Sequence, residues 1–461
     1  MFDVTPEEIT EGSLARVLVV LAGPLVVQNF ALVAQSVVDL FWVGRLGETP
    51  VAAVGLATVL VALASVPLRA FFTGSQVVTS QRVGADDTAA ARRVPFTAAI
   101  LAVAVAGVLG LLLAATARDV AALLTGDAAV VAFTADYLTG YALALVAVGA
   151  SDTLESGFTG WGDSRGALYV NLVAIIVNVV LDPFLILGWG PFPRLELFGA
   201  ALATAVGYGV GAAFALGLAA RGRKGFRLTA AAVRPHLGTA REVVTVGAPV
   251  AGQEVGRQVA RLAMVAVVSV AGGPAALAAY HIGAQVATVA FVPAQGLAQA
   301  ATSVVGQNLG ADSADRARRA TWLGVGLAAA GLAVVGLAQW LVPAALARVF
   351  VPSLSGEGLA LTVLYLQVLA YGYPALGAVY TLEAGFNGAG RTRVSMGSTL
   401  LQYWVVRLPV AVAGVALLGA GAPAVFWAVT LSNVAAALWL GGYFRHRADR
   451  GMLHRAAAAA D

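Results

Sequence analysis

The sequence predicts an all-α polytopic membrane protein: twelve transmembrane helices in two pseudo-symmetric six-helix lobes. Three observations carry this expectation. Of the 461 residues, 59% are hydrophobic and only 11% charged, against about 25% charged in a globular domain; the mean hydropathy is +0.84. The apolar residues gather in runs of about 20 or more, long enough to cross hydrocarbon, and short charged clusters separate the runs. The third observation is that the chain repeats itself.

Twelve spans are expected, at 14–43, 51–80, 93–116, 129–150, 166–188, 198–220, 243–270, 276–305, 318–343, 358–381, 396–418 and 423–444. The start, MFDVTPEEITEGS, carries four acids and no base before Arg16. A secretory signal needs a basic start, so the first span is expected to be retained. Several spans exceed the bilayer's need, which predicts tilts or kinks.

Basic residues set the orientation. With the N-terminus inside, twenty Lys and Arg fall on the cytoplasmic side and four (Arg45, Arg118, Arg194, Arg348) on the other. Four more, Arg69, Arg257, Arg261 and Arg407, lie within spans. That asymmetry predicts a multi-pass plasma-membrane protein with both termini cytoplasmic. The basic balance concerns topology rather than nucleic acid, for which no role is expected. The loop carrying Arg221, Arg223, Lys224, Arg227, Arg234 and Arg241 suits a solvated linker or contact with anionic membrane lipid.

The repeat is specific. TLESGFTGWGDSR (153–165) recurs as TLEAGFNGAGRTR (381–393), with eight of thirteen positions identical at an offset of 228. VGADDTAAARR (83–93) recurs as LGADSADRARR (309–319), and Gly23-Pro24 with Gln28 recurs as Ala248-Pro249 with Gln253. The expected division is therefore 1–220, a six-helix lobe; 221–242, the basic linker; 243–445, a second six-helix lobe; and 446–461, a tail. Six spans per half give both repeats the same orientation, the parallel-repeat case of many transporters.

Chemistry is limited by what is missing. Without Cys there is no disulfide, thiolate metal site or Cys nucleophile. Four His with none at HxxxH spacing, and no nucleophile–base set, give no reason to expect an enzyme. GWGDSRG and GAGRTRV are not phosphate loops, since neither follows a strand. They are expected to be tight turns in which Arg165 and Arg393 bond helix ends.

Polar residues within spans are costly and each needs an account. Gln28, Gln35 and Asp39 are spaced by seven and four and form one stripe; Asn171, Asn178 and Asp182 form another at the same spacing. Pro183 frees the carbonyl near Val179, so a carboxylate, an amide and a carbonyl gather as a hard-cation or proton site. Two carboxylates so placed cannot both ionise comfortably in low dielectric. Asp39 alternatively pairs with Arg45 at the boundary. Pro24 marks a kink site in the first span.

Taken together, the first-span pattern AGPLVVQNFALVAQSVVDLFWVGRLG (22–47), the repeated GxGDSR and GxGRTR loops and NVVLDP in the fifth span resemble the multidrug and toxic compound extrusion (MATE) family, nearest its prokaryotic DinF-like branch. The resemblance covers essentially the whole chain. It implies a secondary active antiporter that exports amphipathic or cationic organic compounds by alternating access, coupled to inward H⁺ or Na⁺ and without other cofactors. It also implies Asp39, Asn178, Asp182 and Thr204 as the coupling residues, and as the ligands if the ion is Na⁺. By itself Thr204 more often bonds back to its own helix. The family also implies that the first helix bends on protonation.

Gln28, Gln35, Asn171, Tyr208, Gln285 and Gln295 are candidates to line the substrate cavity, and Tyr141, Tyr208, Tyr371 and Tyr373 to meet a flat cationic compound by cation–π contact. Glu254 and Arg257, three apart, are expected to form a structural ion pair, which leaves a second cation site there doubtful. His281 reads as a buried core imidazole, and Trp161, Trp189 and Trp340 as interfacial anchors. A monomer is expected. The alternatives are a lipid-linked oligosaccharide flippase of the same superfamily and an ion channel. The coupling ion stays open, because carboxylate, amide and hydroxyl oxygens suit H⁺ and Na⁺ alike.

Overall fold

The computed structural model describes residues 4–459, and among them there is no strand. The first half of the chain holds α1 (Pro6–Glu11), α2 (Leu14–Gly44), α3 (Glu48–Ser65), α4 (Leu68–Gly84), α5 (Thr88–Leu124), α6 (Ala128–Trp161), α7 (Ser164–Leu187) and α8 (Glu196–Ala220). The second holds α9 (Leu237–Ala290), α10 (Val292–Gly310), α11 (Ala314–Leu341), α12 (Pro343–Phe350) and α13 (Gly356–Gly388). α14 (Thr392–Leu400), a π-helical stretch (Leu401–Arg407), α15 (Leu408–Ala416), α16 (Gly421–Asp449) and α17 (Met452–Ala457) complete it.

Eleven helical segments are long and apolar enough to cross a membrane. One of them, α9, has 54 residues and leaves helical geometry at Gly272 and Gly273. A straight helix of that length would measure about 80 Å, far more than the about 30 Å of hydrocarbon. It therefore supplies the expected span 243–270 and the first part of 276–305, joined at the glycine pair; the latter span breaks at Phe291 and α10 supplies its remainder. The expected span 51–80 is instead broken at Val66–Pro67, where α3 stops and α4 begins, as a proline with no N–H dictates.

Helix starts follow their caps. Asp87, Asp127 and Asp163 accept from backbone N–H groups in the first turns of α5, α6 and α7, satisfying donors that the helix cannot. The repeat is conformational as well as sequential. Asp86 (φ 57) and Asp312 (φ 52) occupy the same left-handed turn in the two halves, as do Gly162 (φ 88) and Gly390 (φ 67). Asp tolerates that region and glycine adopts it freely. The side chain that works in the first of these turns is Asp163, which accepts from Gly166 N at 3.0 Å and from Arg223 Nε at 2.5 Å. Among the described residues, neither Arg165 nor Arg393 bonds a helix end through its side chain, contrary to the expectation above.

The chain forms two compact units, one built on residues 27–251 and the other on 252–459 together with Glu8–Val26. In the first, α6 packs along α5, α8 and α4, and α8 along α7. Leu68, Phe71, Val94, Ala98 and Leu145 form part of its core. In the second, α13 has the central place, against α10, α11 and α16, with Tyr365, Tyr373, Val425 and Phe426 in the core. Each half thus has one hub helix, α6 or α13. Trp161 ends the first hub buried rather than at an interface. Its ring packs on Phe226 at 5.4 Å and its Nε1 donates to Lys224 O at 2.9 Å, which gives the indole a better partner than a membrane boundary would.

Candidate functional site

The two predicted stripes meet in the first unit. α2 offers Gln35 and Asp39, and α7 offers Asn178 and Asp182, the latter 0% and 1% exposed. Gln35 Nε2 lies 2.7 Å from the Asn178 amide. Asn178 reaches Thr204 Oγ1 of α8 at 3.4 Å. Turned over, the same amide is better satisfied: its Nδ2 stands 3.1 Å from Asp39 Oδ1 and its Oδ1 accepts from Thr204 N at 3.1 Å. The Asp39 and Asp182 carboxyls lie close enough to act on each other, while Asp182 Oδ2 is buried without a partner. The structure therefore brings Asp39, Asn178, Asp182 and Thr204 together.

Each arrangement has a local cause. Gly207 lets α8 lie close on α7, since a Cβ there would come 2.6 Å from Ala174 O and 3.0 Å from Asn178 Cβ. Thr204 also bonds back to Ala200 O at 3.1 Å, so its hydroxyl is fixed before Asn178 reaches it. Arg45 lies over the Phe41 and Trp42 rings, 4.9 and 5.4 Å from their centroids. Cation–π contact thus occupies the base that might otherwise neutralise Asp39.

Asp39 opens on a cavity of about 290 Å³, at the small end of ligand-sized pockets, and Asp182 lies buried behind it. Gln35, Asp39, Thr204, Tyr137, Tyr141 and Tyr208 are among its walls. Tyr137 and Tyr141 stack at 5.8 Å, inclined by 20°. The cavity therefore combines an acid with aromatic faces and hydroxyl oxygens, a chemistry that favours cations.

The remaining candidates divide differently. Gln28 and Asn171 do not reach the acid pair. Both donate instead to Glu155 on α6, Gln28 Nε2 to Oε1 at 2.6 Å and Asn171 Nδ2 to Oε2 at 3.4 Å. In the second unit Gln285 is exposed and Gln295 bonds to Tyr380. Tyr373 is fully buried and gives its hydroxyl to Gln339 at 2.6 Å, so it is not available to a ligand. Tyr371 is exposed and accepts from Trp340 Nε1 at 3.0 Å. His281 is exposed, edge-on to Tyr280, and is not a core imidazole. Glu254 and Arg257 form the expected ion pair at 3.5 Å.

Sequence reasoning missed Glu155. Its signal was present in the repeat, where TLESGF and TLEAGF share the acid. The counterpart Glu383, on α13, accepts from Gln253 Nε2 at 3.2 Å and interacts with Thr399. Gln253 and Thr399 are the repeat equivalents of Gln28 and Asn171. Each unit thus holds one carboxylate in a clasp on its hub helix. Four residues past the glutamine, however, the first half has Leu32 and the second Arg257, and Arg257 acts on Glu383.

Comparison with known proteins agrees with this architecture. A probable multidrug resistance protein NorM from Deinococcus radiodurans is 28% identical over 461 aligned residues, covering 95% of this chain and 96% of its own. The crystal structure of a MATE in the bent conformation superposes with a TM-score of 0.89 at 20% identity, covering 99% of this chain and 100% of that one. The outward-facing conformation of a multidrug resistance MATE family transporter of the MOP superfamily gives 0.87 at 21%, over 97% and 99%. At these identities the two structural likenesses concern the fold. The MatE family profile matches residues 24–184 and 249–413, one stretch in each repeat and well over half of the sequence, and on that ground the chain belongs to the MatE family.

Proposed function

We propose that the chain is a monomeric plasma-membrane antiporter, termini cytoplasmic, that exports amphipathic cationic organic molecules in exchange for inward H⁺ or Na⁺. One observation carries the proposal: Asp39, half-buried against the buried Asp182 and without a base beside it, opens on an aromatic-walled cavity in the first unit. The NorM relative's description as a multidrug resistance protein supports the same substrate class. No feature of the site favours the flippase or channel alternatives.

The coupling follows from charge. Two carboxylates this close repel unless a proton or metal ion lies between them. H⁺ would reside on the pair itself; Na⁺ would be held by oxygens of Asp39, Asn178, Asp182 and Thr204, all hard donors. Either cation relieves repulsion between α2 and α7 and so alters how they pack. A cationic substrate competes for the same negative charge, which makes the exchange obligatory. α2 runs unbroken through Pro24, whose ring removes one backbone bond and lowers the cost of bending there. Wild-type efflux from a Pro24→Ala protein at normal expression would count against that bend.

The decisive test is dye efflux from proteoliposomes under separately imposed proton and sodium gradients. The Asp182→Asn protein should fail under whichever gradient drives the parent. Full activity of that variant under both gradients would sink the coupling assignment.

A further inference from the structure

Glu155 is 9% exposed, and its two clasping amides, Gln28 and Asn171, are 5% and 3% exposed. Both carboxylate oxygens already receive an N–H. Yet Gln28 Oε1 and Asn171 Oδ1, the other ends of the same amides, are buried without a hydrogen bond, as is Asp152 Oδ1 one turn earlier on α6. Covalent geometry places each amide oxygen beside the nitrogen that meets Glu155, so two unsatisfied acceptors adjoin one acid, and Asp152 acts on it from the same helix. An orphaned buried acceptor is destabilising, and an O–H on the acid between these oxygens would supply a missing donor.

We propose that Glu155, with Gln28 and Asn171, forms a second proton-holding site, on the same two helix stripes as Asp39 and Asp182 but about 16 Å away along them. The inference rests on the antiport reading above and deepens it. The three side chains satisfy both charge states. Ionised, the carboxylate accepts two N–H bonds, as observed. Protonated, it donates its O–H to an amide that has turned over, satisfying an oxygen that is otherwise orphaned. The amide turn gives the site two discrete arrangements, which a passing proton selects.

The surroundings agree. Asp152 on the same helix and Tyr208 on α8 are the ionisable groups that face Glu155. Arg69, at the start of α4, acts on Asp152. α2 and α7 contribute the two amides, and the buried faces of α3 and α5 carry no ionisable side chain. No base is among the groups acting on Glu155, unlike Glu383 with Arg257. Too few free oxygens gather here for a metal ion, whose shell usually takes about six. The same three residues suffice for a proton.

The test is an infrared pH titration of the transporter in liposomes, in the Asp39→Asn/Asp182→Asn background, which removes the carboxyls of the pair. The protonated-carboxyl C=O band should persist there, vanish on adding Glu155→Gln, and return shifted with Glu155→Asp. A band that survives Glu155→Gln, or no band at any pH before that change, overturns the proposal. So does a band erased by sodium at constant pH, which would put a metal ion in the proton's place. In the otherwise native protein, Glu155→Gln should also lower the number of protons moved per dye molecule. Because the band is read without turnover, it stands or falls separately from the Asp182→Asn efflux result.

Discussion

The two halves of this chain place one acid at a matching position, Glu155 and Glu383, and then surround it in opposite ways. In the second unit Glu383 and Glu254 both lie beside Arg257, and the acids are compensated locally. In the first unit Asp39 and Asp182 face each other, Glu155 faces Asp152, and Arg45 is turned onto aromatic rings. The clasp itself, a glutamine and a second polar side chain holding a glutamate, is the same in both. The contrast teaches that a shared scaffold can serve as a structural clasp or as an ion site, depending on whether one base stands nearby. Here that base is Arg257, opposite Leu32.

The largest expected effect comes from removing the base where it exists. Arg257→Leu leaves Glu254 and Glu383 without their base, and a partly buried acid stranded in this way costs about 3 kcal/mol. Thermal unfolding in detergent should show a large loss, and Arg257→Leu/Glu383→Gln should recover most of it. If the single variant is as stable as the parent, the second unit's compensation is not what holds its clasp. Overpacking the α7–α8 contact comes next. Gly207→Val should cost about 1–3 kcal/mol and, by pushing on Asn178, reduce efflux at temperatures where the protein remains folded. A Gly207→Val protein with native stability would mean that the close helix approach is dispensable.

Installing the base where it is absent tests the comparison from the other side. Leu32→Arg should leave the chain folded yet slow cation-driven efflux at least about tenfold, equivalent to about 1.4 kcal/mol. Unchanged efflux with intact folding would mean that uncompensated acid in the first unit is not needed. The smallest effect should be at a helix start: Asp127→Ala, which removes an exposed cap from α6, costs about 1 kcal/mol and should leave coupling unaltered. A change in the driving ion would show that the N-terminal end of the hub helix does more than begin it.

Much of the architecture was legible because hydrocarbon imposes a coarse rule. Spans of about 20 apolar residues punctuated by Arg are hard to misplace, and the glycine pair 272–273 falls between two of them, whereas the break at Pro67 lies inside a run whose hydropathy reads as continuous. The acid pair was legible too, since spacings of seven and four put Asp39 and Asn178–Asp182 on narrow faces. Periodicity could not tell that each stripe serves two places. Gln28 and Asn171 share faces with Gln35 and Asn178, but α6 intercepts them. Glu155 escaped because the fourth span was expected to end at 150, whereas α6 continues to Trp161. Eleven more residues of helix turn what reads as a loop motif into a buried wall. Tyr373 and His281 went astray for a related reason: one-dimensional pattern gives a residue's face but not the neighbour on that face.

The loop after α8 has a consequence for how the chain is made. Arg223 pairs with Asp163, Lys224 donates to Val4 O and receives Trp161, and Phe226 stacks among Phe96, Phe158 and Trp161. Every one of these partners precedes the loop in the sequence, so the ribosome has delivered them all before residue 252 exists. The first unit can therefore close this face during synthesis, as domains commonly do. Glu8–Val26 cannot, because the unit it joins has yet to be translated. For that interval the opening stretch of the first membrane helix waits without its packing partners, and a pause in elongation after the loop would prolong its exposure to the insertion machinery.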